Sequence, residues 1–315
     1  MKQMLTDVLT AFFMVILLPG ILQKTVVTDP VPAELPTEPE SLSGWTVWVR
    51  SGETVTEMDL DAYITCVVLE EMPASFEPEA LKAQSVAART YARKALTTGG
   101  KHGDGSVCVE SACCQGYCTP ETYLDKGGTT ENLEKVRSAV EETSGLVLTY
   151  EGELIEATYF SSSGGMTEDA AAVWGTEYPY LRCVESPGEQ EYTQTKSFTP
   201  EEFSAALGRE LTGNPEDWFS VITYTEGGGV AAMTVAGQTY SGTQLRSLLG
   251  LSSTAFSVKA NKNGISVMAK GYGHRVGMSQ YGAEAMAVSG AEYPEILAHY
   301  YPGTILTALK KETPA

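Results

Sequence analysis

The chain has 315 residues and a formal net charge of −19, from 40 acidic and 21 basic side chains. This balance argues against a nucleic-acid partner, which needs a basic face, and against simple adhesion to anionic lipid headgroups. The length allows one large domain or two intertwined lobes.

The first 27 residues read as a targeting element. An apolar run at residues 8–22 follows Lys2, and it is at the short end for a membrane span. A cleaved signal peptide is the alternative, but no small-x-small cleavage site follows the run. We therefore expect an uncleaved transmembrane helix, a cell-membrane location and a body outside the cytoplasm. Residues 28–43 are rich in proline and acids, which predicts a disordered spacer.

The most informative stretch is residues 66–94, in a predicted catalytic core at 44–198. Two strands at 46–50 and 54–58 precede it. An apolar run at residues 67–69, interpreted as a strand, ends in Glu70 and Glu71. A helix then begins at Pro78 and ends near Leu96, before two glycines. Its many alanines predict burial, and we expect its polar side chains to line a cleft shared with Glu71. These polar side chains are Gln84, Arg89, Thr90 and Tyr91.

Residues 101–120 hold four of the six cysteines and one of three histidines. Thiolate and imidazole groups are the ligands that zinc prefers. Two disulfides are the alternative, although they would close only small loops. The spacing alone leaves both open. Cys66 and Cys183 are interpreted as buried free thiols, with a distant pair as the alternative.

The next segment has a predicted helix at 131–143 and a hairpin with strands at 146–150 and 154–160. Its second strand runs into three serines and two glycines, including Ser161 and Ser163. This pattern is typical of a turn that contacts a ligand, or of a plain polar loop.

Residues 199–256 are interpreted as an accessory lobe. A helix capped at Thr199 and a second helix at 242–249 are expected there. The chain then returns to the core at 257–315, with one strand at 258–269. A glycine-rich stretch follows, in which a helix begins near Gln280. The expected fold class is α+β, with mixed helices and small sheets around a central cleft.

Together, these stretches resemble the stage II sporulation protein D family of membrane-anchored lytic transglycosylases. The resemblance covers nearly the whole chain. It rests on Glu71-Met72-Pro73, residues 79–84, residues 87–91, the serines at 161 and 163, and residues 273–283. One departure is Arg275, which replaces a glycine of the family's Gly-His-Gly-Val-Gly pattern.

The resemblance implies a sporulation enzyme of the engulfing mother cell. Such an enzyme cuts peptidoglycan glycan strands from which an amidase has removed the stem peptides, giving 1,6-anhydro ends. It implies a sporulation amidase and a further membrane protein of the engulfment complex as partners. It assigns Glu71 as the single catalytic acid. A carboxyl group in this role needs a raised pKa, which apolar surroundings supply. The proposed sugar-binding or orienting groups are Arg89, Tyr91, Ser161, Ser163, His274, Ser279 and Gln280, with fixing the cleft as a second role for Arg89.

Some members of the family carry a zinc site after the long helix. By spacing, its ligands fall on His102, Cys108, Cys113 and Cys114, with Cys118 as a possible substitute. Two alternatives to the enzyme remain. One is a non-catalytic, peptidoglycan-binding enhancer of an amidase, and the other is a thiol hydrolase that uses Cys66 and His274.

Overall fold

The computed structural model describes residues 44–310. The predicted anchor at residues 1–27 and spacer at 28–43 lie outside this range. Within the described range, no helix combines the length and the apolar character that crossing a bilayer requires.

The first half of the described chain is mixed in secondary structure. In order, it contains β1 (Thr46–Ser51), β2 (Thr54–Asp59), α1 (Leu60–Glu71), α2 (Pro78–Thr98), β3 (Val107–Cys108), α3 (Pro120–Asp125), α4 (Thr130–Glu142), β4 (Leu146–Tyr150), β5 (Glu153–Leu154), β6 (Tyr159–Phe160) and α5 (Ala170–Trp174).

The second half contains the remaining elements. They are β7 (Thr193–Phe198), α6 (Pro200–Ala206), a 3₁₀ turn (Pro215–Asp217), β8 (Phe219–Tyr224), β9 (Val230–Val235), β10 (Gln238–Ser241), α7 (Gly242–Leu249), β11 (Ala255–Asn261), β12 (Gly264–Lys270), β13 (Met278–Ser279), α8 (Gln280–Val288), α9 (Tyr293–Tyr300) and β14 (Ile305–Ala308).

Helix α1 corrects the expectation of a strand before Glu71. The Asp59 side chain caps the helix by accepting a 3.0 Å hydrogen bond from the N–H of Ala62. The apolar run lies in the last turns of the helix, and its side chains are buried. A short apolar run fits a buried strand and a buried helix equally well, so its periodicity could not decide between them.

Helix α2 confirms its prediction from local signals. It begins at Pro78 and ends at Thr98, and the following Gly99, with a φ of 85°, forms the left-handed cap. All six of its alanines are buried, and it packs against α1, α4, α8, α9 and β4. Alanine allows this close approach on several sides, and α2 is therefore the central helix of the main core.

Residues 44–310 form five small sheets, with strand orders β2-β1-β3, β14-β4-β5, β13-β6, β10-β9-β8 and β11-β12-β7. The predicted hairpin is confirmed between β4 and β5. However, its second strand stops at Leu154, and β6 instead pairs in parallel with β13. The single strand expected at 258–269 is a hairpin of β11 and β12.

Two hydrophobic cores are present in the described chain. The first is formed by buried side chains of α1, α2, α4, α9 and their neighbouring strands. The second extends from Phe203 to Ala269. We call residues 193–270, which surround this second core, the hairpin lobe. It includes the predicted accessory region at 199–256, and its capping box at Thr199 and Glu202 is present as expected. The mixed helices and small sheets confirm the expected composition of the fold.

Candidate active site

Glu71 is the last residue of α1, and its side chain is half-buried. Burial raises the pKa of this carboxyl group. A hydrogen bond from the backbone of Gly116 opposes the rise, and the charge of Glu70 adds to it. Glu70 itself is exposed and lies 3.4 Å from the Lys126 ammonium. The two neighbouring acids therefore lie in different surroundings, one enclosed and the other solvated.

The residues that hold Glu71 come from a segment that the sequence analysis interpreted only as a metal site or a pair of disulfides. We call residues 101–118 the cysteine loop. The N–H of Gly116 donates to Oε1 of Glu71. A Cβ atom at Gly116 would lie 2.9 Å from the Glu70 side chain and 3.0 Å from Glu71 Oε1, so a larger residue there would displace these two side chains. Next to it, the buried Gln115 donates to the hydroxyl of Tyr159 at 2.8 Å and accepts from Tyr63 at 3.2 Å.

Tyr159 lies beside the candidate acid. Its phenol has a strongly raised pKa, first because of burial and then because of the charge of Glu71. Strand alternation places Ser161 on the same side of the chain as Tyr159. Ser161 is half-buried, and its backbone carbonyl accepts from the N–H of Tyr281 at 3.0 Å. Sequence reasoning did not find Tyr159, because nothing local distinguishes it from a core aromatic residue.

The four predicted metal ligands meet at one place. Atoms of His102, Cys108, Cys113 and Cys114 all lie within 4.8 Å of one another. The Cys113 and Cys114 sulfurs are 3.9 Å apart, and they lie 3.8 Å and 3.5 Å from Nε2 of His102. A tetrahedral zinc ion with ordinary bond lengths would require about 3.8 Å between sulfurs and about 3.6 Å from sulfur to nitrogen. The donor set and its spacing therefore fit zinc.

The remaining cysteines are separate from this cluster. Cys118 is buried and contacts Lys126 and the carbonyl of Thr119, so it is not a fifth member. All six cysteines are free thiols. Cys66 is buried as predicted, and burial raises its pKa to about 11. Cys183 is half-buried rather than buried. A protonated, enclosed thiol does not fit the nucleophile of a thiol hydrolase.

Two of the predicted sugar ligands instead bind a carboxylate of the chain itself. Ser163 donates to Glu189 through its N–H and its hydroxyl, both at 2.6 Å, and Ser279 donates to the same carboxylate at 3.0 Å. Both serines are fully buried. Their donors are therefore used within the chain, where they anchor the loop that carries Glu189. Because Glu189 is 26 residues from Ser163, no local signal pointed to this contact.

Arg89, predicted to bind sugar or to fix the cleft, lies in the core. Its guanidinium is fully buried and donates twice to Asp61, at 3.0 Å and 2.9 Å. Further hydrogen bonds run to the carbonyls of Val140 and Leu146. With its donors satisfied inside the core, Arg89 fixes α2 against α1 and α4.

Gln280 and Tyr91 lie at other places around the core. Gln280 is buried and donates to Gln84 at 3.4 Å, which joins α8 to α2. The side chain of Gln280 is therefore enclosed in the core rather than exposed at a surface. Tyr91 is half-buried beside Cys114, and the Lys101 ammonium lies 5.9 Å from its ring centroid. The cysteine loop therefore covers Tyr91.

His274 is held between two aromatic rings. The ring centroids of Phe160 and Trp174 lie 5.6 Å and 5.3 Å from its own. Its Nδ1 accepts the N–H of Val276 at 3.1 Å, and a hydrogen bond connects the imidazole to the backbone of Tyr159. Burial lowers the pKa of His274 to about 4, with smaller contributions from Arg246 and Lys101. The imidazole is therefore neutral at physiological pH, and its contacts are structural.

Arg275, where the family pattern has glycine, has a positive φ of 68°. Its buried guanidinium pairs with the buried Glu168 at 3.0 Å. It also donates to the carbonyls of Ser163, Met166 and Gly227. Because Gly227 belongs to the hairpin lobe, this side chain ties the lobe to the main core.

Comparisons with known proteins show the family to which the chain belongs. The family model described as "Stage II sporulation protein" matches residues 49–150, which contain Glu71 and the cysteine loop. Stage II sporulation protein D of Bacillus amyloliquefaciens is 39% identical over 276 residues, which cover 85% of this chain and 80% of the relative. The chain belongs to the stage II sporulation protein D family. This result confirms the resemblance drawn from residues 71–91 and 273–283.

Other members are similar over comparable lengths. Stage II sporulation protein D of Bacillus subtilis (strain 168) is 38% identical over 265 residues, covering 82% of this chain and 77% of the relative. The "Amidase enhancer" of the same organism is 31% identical over 300 residues, covering 77% of this chain but 40% of the longer relative. The family therefore comprises sporulation proteins, and one of these relatives is named for an effect on an amidase.

Proposed function

We propose that this protein is a lytic transglycosylase that cleaves the glycan strands of peptidoglycan during sporulation, after their stem peptides have been removed. The observation that carries the proposal is the half-buried Glu71 with its raised pKa. A raised pKa keeps the carboxyl group protonated to higher pH than an ordinary glutamic acid, and a protonated carboxyl group can donate a proton to a glycosidic oxygen.

One acid is sufficient for this reaction. Glu71 protonates the leaving oxygen as the bond to the anomeric carbon breaks. The resulting carboxylate then removes the proton from the 6-hydroxyl of the same sugar, whose oxygen bonds to the anomeric carbon and forms a 1,6-anhydro ring. A hydrolase would use a second carboxylate across the sugar. Among the described residues, the carboxylate whose charge raises the pKa of Glu71 is that of the neighbouring Glu70. The Glu70 side chain faces Lys126 and solvent, so it does not lie across a sugar from Glu71 as the second carboxylate of a hydrolase would.

Surrounding groups would orient the acid. The N–H of Gly116 holds Oε1 of Glu71, which leaves Oε2 for proton transfer. Tyr159 contributes a neutral phenol next to the carboxyl group, since its pKa is strongly raised. Tyr91 and Ser161 remain candidate sugar contacts, because both side chains are only half-buried.

His102, Cys108, Cys113 and Cys114 would hold a zinc ion. With four protein ligands, zinc supplies a structural crosslink, because no coordination position remains open for water or substrate. These residues frame the cysteine loop, and Gln115 and Gly116 follow Cys114 directly. The loop would thereby keep its contacts with Glu71 and Tyr159.

The location and partners are part of the same proposal. We expect an N-terminal anchor in the cell membrane, with the active domain on the extracytoplasmic side where peptidoglycan lies. A peptidoglycan amidase would act before this protein by removing stem peptides. A further membrane protein of the engulfment complex is the other expected partner.

The second candidate function is a non-catalytic enhancer that binds peptidoglycan and stimulates an amidase. The similarity to the amidase enhancer favours this alternative. Incubation of the full-length protein with peptide-free glycan strands, followed by mass spectrometry, separates the two functions. The enzyme produces 1,6-anhydro-muramic ends in the absence of an amidase. An enhancer leaves the strands intact and raises the rate of the amidase instead.

A further inference from the structure

One half-buried cation, Arg246, forms no ion pair with an acidic side chain of the described chain. The guanidinium of Arg246, in α7, makes no hydrogen bond or ion pair with any side chain of residues 44–310. Many of the chain's other cations are paired, including both buried arginines, with Asp61 and Glu168. Partial burial lowers the pKa of Arg246 and leaves the guanidinium charged. An unpaired, half-buried guanidinium in a chain of net charge −19 is a candidate anion-binding group.

Arg246 lies next to the turn that carries His274. The N–H of Gly273 donates to the carbonyl of Ser252 at 3.0 Å, and the N–H of Leu251 donates to the carbonyl of Arg246 at 2.8 Å. The end of α7 therefore meets the 271–274 turn. Arg246 also interacts electrostatically with both His274 and Tyr272.

Exposed aromatic side chains flank the same turn. Trp174 is 39% exposed and packs on His274, and Tyr272 is 50% exposed with an edge-on contact to Tyr192. The neutral imidazole of His274 packs against the Trp174 ring and holds it in place. Exposed aromatic faces that are held by a rigid support suit stacking against the apolar face of a sugar ring. The His274 imidazole is hydrogen-bonded to the backbone of Tyr159, and the Tyr159 phenol lies beside Glu71. Tyr159 therefore connects this aromatic surface to the candidate acid.

We propose that Trp174, Tyr272 and Arg246 form a binding subsite for a sugar that carries a carboxylate. The aromatic side chains bind the ring, and the guanidinium binds the carboxylate through two parallel hydrogen bonds. This inference rests on the proposed function, since it assigns the carboxylate to the lactyl group of a muramic acid without its stem peptide. A stem peptide would convert that carboxylate to a neutral amide. Arg246 would therefore make the protein prefer peptide-free strands.

Binding measurements on the full-length protein with Glu71→Gln, which prevents cleavage, test the subsite. Three soluble probes are compared by isothermal titration: peptide-free glycan fragments, the same fragments with carboxylates reduced to alcohols, and chitohexaose. Arg246→Gln should weaken binding of the first probe about tenfold and change the other two less than twofold. Arg137→Gln, a change in a surface cation of α4, should change none of them.

Trp174→Ala should weaken the binding of all three probes about tenfold, while Trp48→Ala, at an exposed tryptophan of β1, should not. Trp174→Phe keeps an aromatic ring on His274 and should retain most of the affinity, which separates stacking from misfolding. The proposal is overturned if Arg246→Gln affects all three probes equally or none, or if Trp174→Ala behaves like Trp48→Ala. If the native protein cleaves no glycan but the probes follow the expected pattern, the proposed activity fails and the subsite stands.

Discussion

The backbone N–H of Gly116 donates a 2.5 Å hydrogen bond to Oε1 of Glu71 across 45 residues of chain. The candidate acid at the end of α1 is therefore held by the loop that carries the four metal-ligand candidates. The contact favours the ionised carboxylate, whereas burial favours the protonated form. Burial has the larger effect, so the pKa of Glu71 is raised.

Replacement of Glu71 by glutamine tests the proposed acid directly. Glu71→Gln should lower the rate of glycan cleavage by about 10²- to 10⁴-fold, because an amide cannot donate the proton. The measurement is the yield of 1,6-anhydro ends over time. Glu70→Gln is the matched control, and it should keep most of the activity because its side chain is solvated. If Glu70→Gln abolishes cleavage and Glu71→Gln does not, the assignment is wrong.

The same substitution has a predictable effect on stability. Because the pKa of Glu71 is raised by folding, the folded state holds this proton more tightly than the unfolded chain. The stabilising contribution is thus present at low pH and is lost as the pH rises through the folded-state pKa. Glu71→Gln should therefore gain stability relative to the native protein as the pH rises above the ordinary carboxyl pKa of 4.5. Urea unfolding at several pH values measures this, and a relative loss of stability at high pH would contradict the raised pKa.

Metal analysis tests the cysteine loop. The purified protein should contain one zinc ion per chain, and Cys114→Ser should contain much less. Loss of the ion should lower the melting temperature by roughly 10 °C. Cys118→Ser is the control, since the Cys118 thiol lies outside the cluster, and this variant should retain zinc. Equal zinc content in both variants would remove Cys114 from the ligand set.

His274 should make the protein sensitive to acid. Its pKa of about 4 in the folded state is below the ordinary value of 6.5, so the unfolded chain binds this proton more readily. The contribution of His274 to stability is therefore present above pH 6.5 and is lost as the pH falls towards 4. One pKa unit corresponds to about 1.4 kcal/mol, so this group should account for a loss of about 3 kcal/mol between pH 7 and pH 4.

Comparison of variants isolates that contribution. His274→Gln removes the titrating ring, and its free energy of unfolding should fall less steeply with acid than that of the native protein. Phe160→Leu weakens the packing around the same ring but keeps the imidazole, so it should reduce stability and preserve the slope. Identical slopes for His274→Gln and the native protein would show that this imidazole does not titrate differently on folding.

The buried pair of Arg275 and Glu168 should contribute strongly to stability. Arg275→Met leaves the carboxylate of Glu168 buried without its partner, and the expected cost is about 3–5 kcal/mol in the free energy of unfolding. Adding Glu168→Gln to this variant removes the charge and should recover part of the loss. Arg182→Met breaks an exposed pair with Asp169 and should leave the unfolding midpoint nearly unchanged. An equal effect of the two arginine substitutions on the free energy of unfolding would mean that burial does not strengthen the contribution of the Arg275–Glu168 pair.

The sequence by itself determined the features that depend on neighbouring residues. Pro78 and Gly99 marked both ends of α2, and Thr199 with Glu202 marked the capped helix of the hairpin lobe. The spacing from His102 to Cys114, read with the family resemblance, identified the cluster that forms in space. Each of these signals lies within about twenty residues, where chain geometry limits the possible arrangements.

Only the tertiary structure decided the contacts between distant segments. Residues 67–69 form a helix because α1 is buried against α2 and α4. A run of three apolar residues does not distinguish a buried helix from a buried strand. The contacts of Gly116 with Glu71 and of Glu189 with Ser163 likewise depend on packing. The position of Arg246 beside His274 does so as well. A backbone N–H or a lone arginine has no sequence pattern, so its role appears only when the folded chain brings its partner to it.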